Sequence, residues 1–172
     1  MEKIIQCSTS PVRDGIFKAM ANTYTQLYVQ FVFAVQNRAS LIQPAWKNEL
    51  YKYITGIVQN NGHKLLAING MPNHVHIFIG YKPSQLIPDL LQDIKGSSSK
   101  RINKKQFTKG KFSWQEGYGA FSYSHSHIDR VIKYILNQEQ HHTKKSFQEE
   151  YRELLDKFNI EYDRRYLLKE IQ

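Results

Sequence analysis

The chain has 172 residues, and its 24 lysines and arginines against 15 aspartates and glutamates give a formal net charge of +9. The single cysteine, Cys7, excludes an internal disulfide framework and a cysteine-based zinc knuckle, which leaves histidine, carboxylate and amide side chains as metal ligands. The most apolar stretch, Leu27 to Val35, is far shorter than the about 20 residues of a membrane-spanning helix, so we expect one soluble, cytoplasmic domain.

The first third of the chain predicts an extension, a strand and a helix. Residues 1–20 show no clear periodicity, and we interpret them as a loosely ordered N-terminal extension. Residues 27–35 alternate with a period of two, which predicts a long and largely buried strand. After a turn over residues 37–43, apolar residues at helical spacing predict a helix from Pro44 to Asn60.

A hairpin and a second helix are predicted next. Two short apolar runs, residues 64–68 and 74–79, are separated by Asn69-Gly70-Met71-Pro72, a sequence typical of a turn. They predict an antiparallel hairpin with a loop slightly longer than the tightest type. Apolar residues on one side of residues 84–103 predict a helix, with Pro88 tolerated in its first turn.

Much of the excess positive charge lies in one tract that begins in this helix. Residues 95–111 contain seven basic residues and no acidic residue. Hydroxyl groups and glycines between the cations suit phosphate oxygens, and the aromatic residues that follow suit unpaired bases. The same pattern has a simpler explanation. The basic residues can form a solvated loop that only maintains solubility, and the aromatic residues can belong to the core of a strand.

The last part of the chain predicts one more strand and two helices. Residues 112–124 are expected to be irregular and then to form a short strand. Ser126 is expected to cap a helix that reaches about Gln140, and residues 147–158 predict a final helix. We therefore predict an α+β fold, a ferredoxin-like sandwich of an antiparallel sheet with helices on one face, plus C-terminal helices. The expected domain spans residues 21–145, and residues 146–172 form a helical tail.

Two histidines lie at alternate positions of the predicted third β segment. In Asn73-His74-Val75-His76-Ile77, the geometry of a strand sends His74 and His76 to one face and the apolar residues to the other. Side chains about 6.6 Å apart along a strand can converge on one divalent ion. Histidines on a polar sheet face are the plainer interpretation, and His125-Ser126-His127 has the same spacing.

The predicted helix after Ser126 carries a phenol and an amide on one stripe. Tyr134 and Gln138 are four residues apart, so their side chains project from the same side of a helix. Gln138 could be a third ligand to an ion held by the histidines, and Tyr134 could attack a bound phosphate. The spacing is unspecific, because Tyr81 and Gln85 share it and a buried tyrosine is often only a core residue.

Together these features resemble a known family. The chain resembles the single-tyrosine H-U-H transposases of the insertion sequence 200/605 group, where U is a hydrophobic residue. The resemblance lies in the strand His74-Val75-His76, the basic helix and loop after it, and Tyr134-x-x-x-Gln138 on a later helix. The resemblance implies a single-stranded DNA transposase that cleaves and rejoins DNA through a 5′-phosphotyrosine. It implies Tyr134 as the nucleophile, and His74, His76 and Gln138 as ligands of Mg²⁺ or Mn²⁺.

The resemblance also implies the partners. The expected DNA is single-stranded with hairpin ends, and the chain is expected to form a homodimer in which the active site is either contained in one subunit or shared. The candidates for phosphate contacts are Lys95, Lys100, Arg101, Lys104 and Lys105. Two alternatives remain open: a non-catalytic single-strand nucleic-acid-binding protein derived from such a transposase, and a structural zinc domain that uses further histidines such as His125, His127, His141 or His142.

Overall fold

The computed structural model describes residues 24–143 and 145–163, so the predicted N-terminal extension lies outside the described residues. The strands are β1 (Leu27–Ala34), β2 (Lys64–Met71), β3 (His74–Tyr81) and β4 (Gly119–Tyr123). The helices are α1 (Pro44–Asn60), α2 (Ile87–Lys105), α3 (Ile128–Leu136), α4 (Gln138–His142) and α5 (Phe147–Lys157). Within these described ranges, no helix has both the length and the apolar character needed to cross a membrane.

The strands form one antiparallel sheet in the order β2-β3-β1-β4. The apolar strand β1 lies inside the sheet between β3 and β4, and Val32 is opposite His76 in the register. This order, with α1 and α2 as the two crossover helices, is that of a ferredoxin-like sandwich. The predicted fold class is therefore confirmed.

Helices α1 and α2 cover one face of the sheet. Side chains of β3, including Ile77, pack in one buried cluster with Ile54 of α1 and Ile94 of α2. The predicted bounds of α1 are confirmed, but α2 begins three residues later than the predicted start at Ser84. Pro88 explains this start, because proline is accommodated only in the first turn of a helix.

The β2-β3 hairpin is tighter than predicted. Strand β2 continues to Met71, which pairs with His74, so the loop contains only Pro72 and Asn73. Asn69-Gly70 belongs to the strand although the dipeptide is typical of a turn. Gly70 is required there by space, because a Cβ atom on it would lie 2.2 Å from the carbonyl oxygen of His74.

The other face of the sheet is covered by the C-terminal helices. Leu154 and Leu155 of α5 pack against Val32 and Phe121, while α3 packs against Phe78. The face that carries the two histidines is therefore buried beneath α3, α4 and α5.

One continuous helix from Ser126 to Gln140 was predicted, and this prediction is wrong at both ends. The hydroxyl of Ser126 bonds to the side chains of Ser124 and His127, in a 3₁₀ turn over His125–His127, and does not cap α3. Helix α3 ends at Leu136, and Asn137 separates it from α4. The side chain of Asn69 in β2 donates to the carbonyl of Leu136 and satisfies the acceptor freed by the break.

Candidate active site

Strand β3 places His74 and His76 side by side on the face of the sheet covered by the C-terminal helices. Their ring centroids are 5.1 Å apart, and neither residue is exposed to solvent. Val75 and Ile77 point into the opposite core, as the period of the strand requires. The histidines therefore form the buried floor of a site.

Neighbouring amides orient both imidazoles. The Nδ1 atom of His74 lies 2.8 Å from Oδ1 of Asn73, and Nδ1 of His76 lies 2.9 Å from the side-chain nitrogen of Gln30. Tyr123 in turn donates its hydroxyl proton to Gln30. These contacts occupy the outer ring nitrogens, so both Nε2 atoms face the interior of the site.

The predicted residues of the later helices come to the same place. Oε1 of Gln138 at the start of α4 lies 3.3 Å from Nε2 of His74, and the ring of Tyr134 in α3 lies 5.9 Å from that of His76, centroid to centroid. The break at Asn137 thus does not separate the two side chains. His74, His76, Tyr134 and Gln138 converge within one chain.

Glu150, which was not predicted from the sequence, and His142, which was named only in the zinc alternative, occupy the centre of the site. Oε2 of Glu150 in α5 lies 3.3 Å from Nε2 of His76 and 3.0 Å from Nε2 of His142 in α4. Its other oxygen, Oε1, accepts hydrogen bonds from the hydroxyl of Tyr134 and from the side-chain amide of Gln138. Glu150 therefore links the histidines to the predicted nucleophile.

A signal for Glu150 existed in the sequence. The residue lies three positions after Phe147 and four before Leu154, which places it on the buried stripe of α5. Phe147 stacks on the ring of His74, with centroids 4.0 Å apart. A carboxylate on such a stripe needs buried polar partners, and the histidines supply them.

The carboxylate and the imidazoles change one another's proton affinity. Burial opposes the charge of Glu150, but the hydrogen bond from His142 and the close approach of His76 outweigh burial and hold the pKa of the carboxyl well below its usual range. Burial likewise opposes the charge of His142, and the hydrogen bond to Glu150 reverses the balance, so the pKa of His142 is raised. Burial and then the neighbouring His76 lower the pKa of His74.

Tyr134 holds its proton strongly in this arrangement. Burial of the phenol, followed by the negative charge of Glu150 and the hydrogen bond to it, raises the pKa of Tyr134 above its usual value. An uncharged phenol is a weak nucleophile. Attack by Tyr134 therefore requires that the phenolic proton pass to an acceptor as the bond to phosphorus forms.

The predicted phosphate contacts lie elsewhere, because α2 packs on the opposite face of the sheet from the histidines. Lys95 donates to the backbone carbonyls of Gln115 and Gly117. Arg101 forms an ion pair with Glu49 at 2.7 Å, and Lys105 lies 3.9 Å from the same carboxylate. Lys100 and Lys104 are exposed.

Other basic residues surround the opening beside Tyr134. Two adjoining depressions there are lined by the basic side chains Arg130, Lys133, Lys145 and Lys157. These residues are scattered over α3, α5 and the loop between α4 and α5, so no single run of the sequence marked them. Tyr134 thus lies beneath a positively charged entrance.

The histidines of the zinc alternative do not all join the cluster. His125 packs against Tyr28, and His127 bonds to Ser124. His141 approaches Oε1 of Glu150 at 3.8 Å, and of this group only His142 directs a ring nitrogen at the carboxylate within hydrogen-bond distance. A zinc site that uses the His125-Ser126-His127 pair therefore finds no support in this geometry.

Comparison with known proteins shows which family the chain resembles. Residues 23–138 match the family model "Transposase IS200 like", which ends at Gln138 and thus before α5. The ISDra2 transposase TnpA of Deinococcus radiodurans is 26% identical over 118 residues, which are 66% of this chain and 84% of the relative.

Solved structures with the same fold include two transposases. A crystal structure from Deinococcus radiodurans R1, assigned as a transposase, superimposes with a TM-score of 0.56 at 25% identity and covers 68% of this chain and 94% of its own. A REP-associated tyrosine transposase bound to a REP hairpin has a TM-score of 0.54 at 15% identity, with 78% and 74% covered. The second likeness shows the fold alone.

Proposed function

Because the chain belongs to the IS200-like transposase family, we propose that it cleaves and rejoins single-stranded DNA through a covalent bond to Tyr134. The observation that carries the proposal is the convergence of Tyr134, Gln138 and the two histidines around one buried carboxylate. The metal ligands in this proposal are His74, His76 and Gln138. Mg²⁺ or Mn²⁺ bound there would polarise the scissile phosphate and stabilise the charge on its oxygens.

The residues of the chain account for the transfer step. The phenolic oxygen of Tyr134 attacks phosphorus, the bond from phosphorus to the 3′ oxygen breaks, and a 5′-phosphotyrosine and a free 3′-OH result. The phenol loses one proton and the 3′ oxygen gains one. Oε1 of Glu150, already hydrogen-bonded to the phenol, is the group placed to receive the first. The phosphotyrosine conserves the ester, so a second 3′-OH can reverse the step.

The proposed partner is single-stranded DNA with hairpin ends. Unpaired DNA suits the site because a phosphate with splayed bases can enter the basic opening beside Tyr134. The REP hairpin bound to one structural neighbour supports this choice. We also propose a homodimer. Tyr134 lies beside the histidines of its own chain, so a complete set of residues needs no exchange between subunits.

Covalent capture tests the proposal. The full chain is incubated with Mg²⁺ or Mn²⁺ and a hairpin oligonucleotide labelled at its 5′ end or, separately, at its 3′ end. We expect a protein adduct on the 3′-side fragment that is lost in Tyr134→Phe and kept in Tyr118→Phe, a control at a partly exposed tyrosine. An adduct that survives in Tyr134→Phe and disappears in Tyr123→Phe would show that the nucleophile is wrong.

A non-catalytic single-strand binding protein is the second candidate. One observation favours it: Glu150 fills the space between the histidines and raises the pKa of Tyr134. This candidate predicts no adduct with the unmodified chain, binding that does not need a divalent ion, and the same affinity in Tyr134→Phe. Both measurements use the same oligonucleotide, so one experiment separates the two functions.

A further inference from the structure

We propose that His142 and Glu150 are themselves metal ligands, which close the site of His74 and His76 around a transition-metal ion of the Zn²⁺ class. The inference rests on the proposed function in one respect, since both place an ion at His74 and His76. It differs in the ligand set, because two of the four donors come from α4 and α5, beyond the last residue matched by the family model.

The first argument is an excess of hydrogen-bond acceptors that face one another. Nδ1 of His142 lies 2.9 Å from the backbone carbonyl of Lys145 and must donate to it, which leaves the lone pair of Nε2 pointing into the site. That lone pair faces Oε2 of Glu150 at 3.0 Å and Oε1 of Gln138 at 3.1 Å. Acceptors in such contact repel one another unless a proton or a cation lies between them.

His74 adds to the excess, and Nε2 of His76 lacks a hydrogen-bond partner. With Nδ1 of His74 donating to Asn73, its Nε2 also faces Oε2 of Glu150, at 3.5 Å. Nε2 of His76 is buried and makes no hydrogen bond of good geometry, although the same oxygen is 3.3 Å away. A proton on His142 leaves the lone pair of His74 facing Oε2 of Glu150 without a donor. A cation bound to both imidazoles and to Glu150 satisfies all of these acceptors.

The separations fit a coordination sphere. With bonds of about 2.0–2.1 Å to nitrogen or oxygen, neighbouring ligand atoms are about 3.0 Å apart in an octahedron and about 3.4 Å apart in a tetrahedron. The three distances from Oε2 of Glu150, between 3.0 and 3.5 Å, span that range. The ligand atoms of His74, His142 and Glu150 all lie within 4.8 Å of one another, and His76, outside that compact group, lies 3.3 Å from Oε2 of Glu150.

The surroundings resemble those of a metal-binding histidine. A ligating histidine usually donates its other N–H to a carbonyl or carboxylate, which fixes the ring. Asn73 and the carbonyl of Lys145 do this for His74 and His142. The Gln30 amide can do so for His76, since a half-turn presents its oxygen and Tyr123 can accept as well as donate.

The donor set selects the ion. Three imidazoles and one carboxylate suit Zn²⁺, whereas Mg²⁺ prefers oxygen ligands and retains water. Four protein donors also leave a tetrahedral ion without a position for a phosphate oxygen. Oε2 of Glu150 must therefore leave the ion before a phosphate oxygen can bind it, and this step makes α5 the element that opens the site.

Direct metal binding by the full chain tests the inference. Zn²⁺ affinity is measured by competition with a chromophoric chelator, and bound Co²⁺ is observed through its visible absorption, which is stronger in tetrahedral than in octahedral sites. We expect Glu150→Gln and His142→Ala each to weaken Zn²⁺ binding by at least about tenfold. Asp156→Asn, an exposed carboxylate lost from the same helix, should leave affinity unchanged. Glu150→Gln should also weaken the Co²⁺ band, and circular dichroism checks that each variant is folded.

Each other outcome decides between the two proposals. If Glu150→Gln and His142→Ala bind Zn²⁺ like the unmodified chain while His74→Ala loses it, the inference is wrong and the ligands of the proposed function stand. If His74→Ala also binds normally, the ion lies elsewhere and both ligand sets are wrong. If the unmodified chain binds no Zn²⁺ but forms the Mg²⁺-dependent adduct, only the inference is overturned.

Discussion

The contact between Tyr134 and Glu150 governs the reactivity of the site at the scale of single residues. The carboxylate orients the phenol, and its negative charge is, after burial, the next cause of the raised pKa of Tyr134. A cation bound to Oε2 of Glu150 would offset the negative charge that raises the pKa of Tyr134. It would leave the hydrogen bond that orients the phenol, because Oε1 is the atom that contacts Tyr134. The position of Oε2 relative to a bound ion therefore affects the pKa of Tyr134.

The sequence identified four residues of this site, offered His142 only in the zinc alternative, and did not indicate a role for Glu150. His74 and His76 were identifiable because a strand alternates its side chains, and Tyr134 and Gln138 because of the family resemblance. His142 lies in α4 and Glu150 in α5, and the two meet through the packing of these helices, a tertiary contact that no local periodicity specifies. The only sign of this contact in the sequence was the carboxylate of Glu150 on the apolar stripe of α5.

Gly70 offers a test of how closely the hairpin that carries His74 is packed. In Gly70→Ala the new Cβ would lie 2.2 Å from the carbonyl oxygen of His74 and 2.8 Å from Cα of Val75. Backbone atoms cannot move aside like the end of a side chain, so we expect a loss of at least about 1–3 kcal/mol in the free energy of unfolding. Urea denaturation measures it.

The matched control for Gly70 is Gly96 in α2, where a Cβ atom would meet nothing within 4 Å. Alanine is the better helix former, so Gly96→Ala should raise the free energy of unfolding by about 0.5–1 kcal/mol. Equal effects of the two substitutions would contradict the close approach in the hairpin.

Helix α5 is the element whose position decides whether the site is closed. Its existence and bounds were predictable from the apolar spacing of residues 147–158, and the helix ends one residue earlier, at Lys157. Its role was not predictable, because the same spacing is satisfied by any apolar surface. The break between α3 and α4 at Asn137 was not predictable either. It is stabilised by a hydrogen bond from the side chain of Asn69 to the carbonyl of Leu136, and Asn69 is far away in the sequence.

The N-terminus of α5 can be weakened without touching the site. The side chain of Ser146 accepts from the backbone N–H of Glu149, and Glu149 accepts in return from the backbone N–H of Ser146. We expect Ser146→Ala to lower the opening free energy of α5, measured by amide hydrogen exchange, by about 1 kcal/mol. Protection of β1 and β3 should stay the same.

Ser126→Ala is the control for that experiment. Ser126 was predicted to cap a helix, but its hydroxyl contacts only neighbouring side chains, so its loss should change protection by less than about 0.5 kcal/mol. Ser146 caps α5, whereas Ser126 does not cap α3. If Ser126→Ala destabilises α3 as much as Ser146→Ala destabilises α5, this difference in capping has no effect on stability and the prediction is wrong.

At the scale of the whole molecule, the sheet separates most of the predicted DNA contacts from the chemistry. Helix α2 lies over one face and the histidines lie beneath the other, so one strand of DNA that contacts both must pass around the edge of the sheet or meet a second subunit. The charge of the tract was visible in the sequence. Its distance from the histidines depends on which face each helix covers, and composition carries no information about that.

The two exposed lysines of α2 test whether this face contacts DNA. If Lys100 and Lys104 each neutralise one phosphate, replacing both with glutamine should reduce the slope of log affinity against log salt by about 1.4, as expected for two contacts on a single strand. Fluorescence anisotropy with a labelled hairpin oligonucleotide at several salt concentrations measures the slope. Lys52→Gln, an exposed lysine of α1, is the control for lost charge alone. An unchanged slope in the double variant would assign DNA binding to the basic residues around Tyr134, and would leave the charge of α2 to solubility.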